Sequence, residues 1–437
     1  MGPVKEIYLD ANATTPAAPE VIEAMRPWLP GAANPSCAHR LGREARAAVE
    51  EARRTIADFF GCGPDEVVFT ASGTEANNLA IKGAALANRE RGRHILVGAA
   101  EHPSVRGAAR WLEGFGFTVE EVPTDERGQV TPEALCERLR DDTALVSIMT
   151  AQNEVGTINR IDALAEVLRG RRVIFHTDAA QAVGKIPTAF PFLGADLVTV
   201  VGHKFYGPKG IGCLLVRRGT RLEPLLHGGG QEAGRRSGTE NAAAIVGLAA
   251  AIRLAQRVMP SAGERMVGLR DALHLRLAEA LKGVLLNGAP LDRLPNTLNL
   301  SFVGVEGAAL VERTPSLLLS TRQACCDRSD TRSPTFAAMG LSAERSRSAV
   351  RISLGRETTF EEIEAAAESI IAAVRELRNG AASEPLPPSD LPRCPRCELH
   401  PLTLDLTGLA PRVTCRRHPD CRYEVYLAVP PGGTPLP

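Results

Sequence analysis

Asp178-Ala-Ala-Gln181, followed 21 positions later by Gly202-His203-Lys204-Phe-Tyr-Gly-Pro-Lys-Gly210, sets an acid, an amide and a lysine in an order that suits one chemistry. A lysine can hold an aldehyde as a Schiff base. A carboxylate can keep a ring nitrogen protonated, so that the ring draws electrons from an attached carbon. Pyridoxal phosphate (PLP) asks both of its protein. Val173-Ile-Phe-His-Thr-Asp178 reads as a short buried strand ending in the acid, and Leu197-Val-Thr-Val-Val201 as a strand ending just before the lysine. Open α/β sheets bind ligands at strand ends, so both side chains are expected to converge on one cofactor. A lone lysine would carry no such reading, because most are solvated surface groups. Lys204 sits instead between His203 and a Gly/Pro-rich turn.

Gly73-Thr74 follows the strand-like Val67-Val-Phe-Thr70 and opens a helical stretch from Glu75 to Lys82. Free backbone N–H groups and the positive end of the helix dipole attract phosphate at such a place. Four cysteines close the chain at metal-ligand spacing. Cys394-Pro-Arg-Cys397, 17 intervening residues and Cys415-Arg-Arg-His-Pro-Asp-Cys421 make two half-sites, and four thiolates complete a Zn²⁺ tetrahedron with no open position. So short a module buries little core, and metal would supply its folding energy. His400 and His418 are alternative ligands.

The chain resembles the PLP-dependent cysteine desulfurases and selenocysteine lyases, class V aminotransferase-like enzymes. The likeness runs from Tyr8-Leu-Asp-Ala-Asn-Ala-Thr-Thr-Pro16 to about Arg378. It rests on Ala71-Ser-Gly-Thr-Glu-Ala-Asn-Asn78, Glu101-His102, Asn153-Glu-Val-Gly156, Arg236-Ser-Gly-Thr239, Ala324-Cys325 and Val350-Arg-Ile-Ser-Leu-Gly355, together with the lysine motif. The resemblance implies PLP fold type I: a large α/β domain with a mostly parallel, seven-stranded-type sheet, plus a small α+β domain. It makes Lys204 the cofactor lysine, Asp178 the partner of the pyridinium nitrogen and Gln181 a donor to the ring's phenolic oxygen. Gly73, Thr74 and His203 would hold the phosphate. His102 would stack on the ring and move protons, a loop histidine satisfied by its neighbours being the alternative. Asn153 and Arg351 would hold the substrate's α-carboxylate. Thr239 would reach the phosphate of a second subunit, which implies a homodimer. The residue before Gly-His-Lys is often a phosphate-holding hydroxyl in desulfurases; Val201 here departs from that pattern.

Reaction type hangs on cysteine. The segment Ala324-Cys325-Cys326-Asp-Arg-Ser-Asp-Thr-Arg-Ser-Pro334 is polar, turn-rich and flanked by Arg322 and Arg328, which favours a thiolate. Cys325 stands where the family nucleophile stands, 26 positions before Arg351. The implied reaction converts L-cysteine to L-alanine, with Lys204 or His102 shifting protons and Cys325 taking the sulfur as a persulfide. Delivery to a protein acceptor, an iron–sulfur scaffold or a thiolation enzyme, would follow. Cys326 could relay sulfur, form a protective link or take no part. Selenocysteine lyase, a transaminase and a non-catalytic PLP-fold scaffold binding partners through its ribbon are the rival readings.

Around these sites the 437 residues carry no net charge, with 51 basic and 51 acidic side chains, which gives no electrostatic case for nucleic acid or a membrane surface. The longest uncharged apolar run, Ala242 to Ile252, is too short to span a bilayer. The opening Met-Gly-Pro-Val-Lys-Glu lacks an apolar secretory segment, so a cytoplasmic setting is expected. Of the other cysteines, Cys213 is expected in the core and Cys62 and Cys136 to be structural.

Strand-like and helical stretches alternate between about 40 and 255, as a parallel sheet with helices on both faces demands. The expected organisation is an N-terminal segment of the small domain (1–15), a PLP-binding large domain (16–255) and a small domain carrying the cysteine loop (256–380). A Pro/Ser-rich linker (381–393), the zinc ribbon (394–428) and a disordered tail (429–437) complete it. The ribbon resembles those at topoisomerase C-termini, where Tyr423 and Tyr426 could offer nucleic acid a stacking surface. Yet from Arg393 to Pro437 six arginines face four acids, and four thiolates with one Zn²⁺ cancel that excess. A docking role for a sulfur acceptor or partner enzyme is the preferred reading of the ribbon.

Overall fold

The computed structural model describes residues 6–321, 333–379, 386–406, 410–417 and 420–427. Cys325, Cys326, His418 and the tail 429–437 lie outside the described residues.

Seven strands form the main sheet, in the spatial order Val67–Thr70, Gly212–Val216, Leu197–Val201, Ile174–Asp178, Thr143–Ser147, His94–Gly98, Thr118–Val122. All neighbours run parallel except Gly212–Val216, which is antiparallel to both of its partners. Its antiparallel turn-back follows from the sequence: only the Gly/Pro-rich segment 202–211 separates it from the preceding strand, and a parallel crossover needs a dozen or more residues. Six of the seven strands are β-branched or Leu-rich and wholly buried, as a sheet covered on both faces requires.

Helix Arg40–Phe60 packs on one face through Ala45, Val49, Ala52 and Ile56, apolar positions spaced three and four apart. It ends at Gly61, whose φ of 68° gives the left-handed stop. The segment opened by Gly73 is helical but irregular: α over Gly73–Asn78, a π turn over Leu79–Gly83, then α again. Gly83 lets the backbone at Glu223 close on this segment, since a Cβ would lie 2.6 Å from the Glu223 carbonyl oxygen.

Helix Ala242–Ala280 spans 39 residues and joins two cores. Ala244 to Ala255 belong to the hydrophobic cluster beneath the main sheet, and Leu269 to Leu277 to a second cluster. That second cluster holds Ile7 and Leu9, the sheet of Val284–Leu286, Thr297–Phe302 and Ala349–Ser353, helix Phe360–Arg378, and ribbon residues Leu402, Val413 and Leu427. This helix is long and apolar enough, by length and composition, to cross a membrane. Its apolar face lies against these two cores.

The described residues after 385 do not hang free. Gly283 N donates to Pro387 O at 2.8 Å, Asp390 N to Val284 O at 2.9 Å and Leu286 N to Asp390 Oδ2 at 2.8 Å. The Pro-rich segment thus lies along the edge strand Val284–Leu286 and leads into a three-stranded ribbon sheet of Leu402–Asp405, Arg412–Cys415 and Glu424–Tyr426. Cys213 is buried; Cys136, expected to be structural, is exposed.

Candidate functional site

Strands Ile174–Asp178 and Leu197–Val201 are hydrogen-bonded neighbours, so Asp178 and the turn 202–204 that carries Lys204 leave the sheet side by side. A cleft of about 230 Å³ opens there. Gly73, Thr74, His102, Asn153, Asp178, Gln181, His203, Lys204 and Arg351 all line it. Thr239 does not; it sits on an exposed loop segment.

Asp178 is 6% exposed and both its oxygens accept: Oδ2 from Asn77 Nδ2 at 2.7 Å, Oδ1 from Ala180 N at 2.9 Å. Lys204 Nζ donates to the carbonyls of Asn12 and Ala13, each at 2.8 Å. Gln181 is buried between Asn12 O, to which Nε2 donates at 2.9 Å, and Lys185 Nζ, which donates to Oε1 at 2.7 Å. The Asn12 contact fixes which end of the amide is nitrogen, because a carbonyl oxygen can only accept. Lys185 itself is buried, and burial, with Lys204 and Arg351 nearby, holds its pKa well below the ordinary lysine value.

His102 caps helix Pro103–Glu113, accepting at Nδ1 from Ser104 N at 3.2 Å; Ser104 Oγ is 2.7 Å from the same nitrogen. Burial lowers its pKa, Asp178 opposes that and Lys204 adds to it. Burial likewise brings His203 down to about 4, helped by Lys204 and Lys209. Beneath the cleft Glu101 is 3% exposed, accepts from Met149 N, and is pushed well above the ordinary carboxyl pKa by burial and by Asp178. Arg351, 2% exposed, donates to Asn153 O at 3.0 Å and to Asp10 Oδ1 at 2.6 Å, while its Nε is buried without a partner.

These residues fit PLP. An acid held by donors, an amine, an imidazole and an arginine with an unpaired buried N–H share one cleft. Its wall at Gly73 is bare backbone, since a Cβ there would lie 2.2 Å from Val201 Cγ2. Val201 fills that space and provides no hydrogen bond. Asn12, Asn77, Ser104 and Lys185 belong to the site and were not singled out from sequence. Asn77 had a signal: it stands four residues after Gly73, on the same helical face, where a buried polar side chain needs a partner.

Outside the cleft, the Sγ atoms of Cys394, Cys397, Cys415 and Cys421 all lie within 4.8 Å of one another. The Cys394–Cys421 separation is 3.5 Å and the Cys397–Cys415 separation 3.7 Å. A tetrahedron with Zn–S bonds of about 2.3 Å has edges of about 3.8 Å. Glu398 and Arg422, each directly after the second cysteine of its pair, have φ of 55° and 52°. Left-handed backbone at a non-glycine residue is uncommon, and its matched recurrence marks two equivalent turns. In the first turn, the N–H groups of His400 and Leu399 bring the Cys397 thiol down to about 6. Tyr423, proposed above as a stacking surface, packs instead against the second core cluster, and Tyr426 lies by Arg412.

Residues 7–366 match the family described as Aminotransferase class-V. A curated relative, the cysteine desulfurase IscS of Dictyoglomus turgidum, is 44% identical over 82% of this chain and 92% of its own length. Among solved structures, a NifS-like protein superposes with a TM-score of 0.79 at 35% identity, covering 85% of this chain and all of that one. A structure titled SspA in complex with cysteine gives a TM-score of 0.71 at 35% identity over 79% of this chain and 98% of that one. The chain belongs to the class-V aminotransferase family, with cysteine desulfurases as its relatives.

Proposed function

We propose that the chain is a PLP-dependent cysteine desulfurase that converts L-cysteine to L-alanine and passes the sulfur through Cys325 to a protein acceptor. The observation that carries this reading is the meeting of Lys204, Asp178, His102 and Arg351 in one cleft. When bound, the cofactor would supply an electron sink that stabilises negative charge at the substrate's α-carbon. Lys204 would hold the aldehyde of the cofactor, and its amine is the group placed to take and return protons at the substrate. Asp178, kept as an acceptor by Asn77 and Ala180, holds the proton of the ring nitrogen. Gly73, Thr74 and His203 hold the phosphate, and Gln181, aligned by Lys185, faces the ring oxygen. Arg351 and Asn153 receive the α-carboxylate. In sum one C–S bond breaks and one S–S bond forms: L-cysteine and the Cys325 thiol give L-alanine and a persulfide. The thiolate is the attacking species, and the arginines beside Cys325 in the sequence favour it.

Thr239 acts across a homodimer, supported by its placement on an exposed loop away from its own cleft. The four C-terminal cysteines hold Zn²⁺, supported by their near-tetrahedral spacing.

Borohydride reduction of the holoenzyme, followed by peptide mass spectrometry, should fix the cofactor on Lys204. Cysteine treatment should add one sulfur to Cys325, and Cys325→Ser should release no alanine. Label on another lysine, or alanine release by the serine variant, overturns the assignment.

A further inference from the structure

His102 Nδ1 meets two groups of Ser104, the backbone N–H at 3.2 Å and Oγ at 2.7 Å. Ser104 Oγ in turn receives Asn77 Nδ2 at 2.8 Å, and the same amide nitrogen donates to Asp178 Oδ2 at 2.7 Å. The orientation of Asn77 follows from its partner, since a carboxylate oxygen calls for the NH₂ end; both amide hydrogens are then used, while Asn77 Oδ1 is buried without a partner. With its oxygen accepting from Asn77, the Ser104 hydroxyl hydrogen is directed to His102. Nδ1 therefore accepts twice, and in a neutral imidazole the proton must sit on Nε2.

We infer that Asn77 and Ser104 are positioning residues that hold His102 as the neutral Nε2–H tautomer, so that it presents a hydrogen-bond donor to the cleft and leaves proton abstraction to Lys204. Three further features agree. The ring caps a helix N-terminus, whose dipole disfavours an imidazolium. Protonating Nδ1 would set two N–H or O–H donors against a third. Burial and Lys204 also oppose the charge, with Asp178 the one group favouring it. A base needs a free lone pair facing the substrate, and this tautomer's lone pair is committed to Ser104. Sequence left Lys204 and His102 as alternatives for the proton transfers; the network selects Lys204. The inference rests on the cleft being the PLP site, but the tautomer can be read without cofactor or turnover.

The test uses full-length protein with ¹⁵N-labelled histidine, freed of cofactor, in long-range ¹H–¹⁵N spectra; comparison with His102→Gln assigns the signal. The expected result at pH 7.5 is a protonated Nε2 and an unprotonated Nδ1. Ser104→Ala leaves only the backbone N–H of residue 104 on Nδ1, so it should admit some Nδ1–H form and raise the protonation midpoint by about one pH unit, while Ser104→Thr, which keeps the hydroxyl, should restore the single form. Asn77→Ala should act as Ser104→Ala does. A wild-type Nδ1–H signal, or a Ser104→Ala spectrum identical to wild type, overturns the inference. Because these spectra need no substrate, loss of desulfurase activity for another reason would leave them unchanged.

Discussion

Arg351 is the residue whose environment says most about substrate. Its guanidinium is nearly inaccessible, yet only two of its three nitrogens are engaged, by Asn153 O and Asp10 Oδ1. A buried unpaired N–H costs free energy unless a ligand completes it, and a carboxylate does so with a charge-assisted bond. Lysine keeps the charge and loses the fork. Arg351→Lys should therefore raise KM for L-cysteine roughly 10- to 100-fold, the effect of one or two kcal/mol-scale hydrogen bonds, with a smaller change in kcat. Steady-state alanine release measures it, and an unchanged KM would remove Arg351 from the carboxylate site. Arg351, Asp178 and Lys204 were legible in sequence because each interrupts or terminates an apolar strand, where a charged side chain has no structural use. Asn77 and Ser104 were not. Their roles arise from bonds between segments 27 and 101 positions apart in the chain, which no local pattern records.

The exposed loop that carries Thr239 gains its definition from two ion pairs. Glu232 is buried against Arg53 in a two-pronged pair at 2.8 Å and 2.8 Å, and its Oε2 also receives Phe69 N at 2.9 Å. Arg53 Nη1 ties the same point to Val67 O, on the edge strand of the main sheet. Arg236 Nε reaches Glu75 at 2.9 Å on the helix that Gly73 opens. Glu232 and Ala233 adopt φ of 51° and 55°, a strained turn that these bonds hold. Glu232→Gln would leave Arg53 with only the more exposed Glu50, 3.2 Å from Nε, as counter-charge, and breaking a buried pair costs up to about 3–5 kcal/mol. Urea denaturation should show a loss of that order, and Arg53→Met with Glu232→Gln should recover part of it. A loss under about 1 kcal/mol would mean that water enters the site and screens the pair. Strand and helix positions in this region were readable from apolar spacing. The continuity of helix Ala242–Ala280 was not, because its Pro260 and the charged stretch around Arg257 to Arg265 read as an ending. The helix carries them because residues 256 to 265 lie between the two cores, where polar side chains face outwards.

On the scale of the whole molecule, the ribbon is joined to the catalytic fold by core packing as well as by its linker. Leu402, Val413 and Leu427 share a hydrophobic cluster with Leu269 and Leu273 of helix Ala242–Ala280, and Gly268 on that helix faces the ribbon directly. A Cβ on Gly268 would stand 2.7 Å from both Leu427 Cδ2 and Val425 Cγ1. Folding of the ribbon and docking of the ribbon are thus separable. The proposed metal would hold the four cysteines together, and apolar contact holds the module to the helix. Stripping metal with a chelator, or replacing Cys415 by Ser, removes the folding term, on the order of 10 kcal/mol for such sites. Amide exchange should then quicken through residues 394–427 and along residues 266–280 of the helix. It should not quicken in strands Ile174–Asp178 and Leu197–Val201, whose side chains pack in other clusters on the two faces of the main sheet. Gly268→Leu should undock the ribbon with its metal in place: the same helix segment loses protection while bound zinc stays at one per chain. Loss of protection spreading to the sheet in either case would mean that the two cores unfold as one. Loss of metal from the Gly268 variant would mean that the helix, and not the thiolates alone, shapes the site.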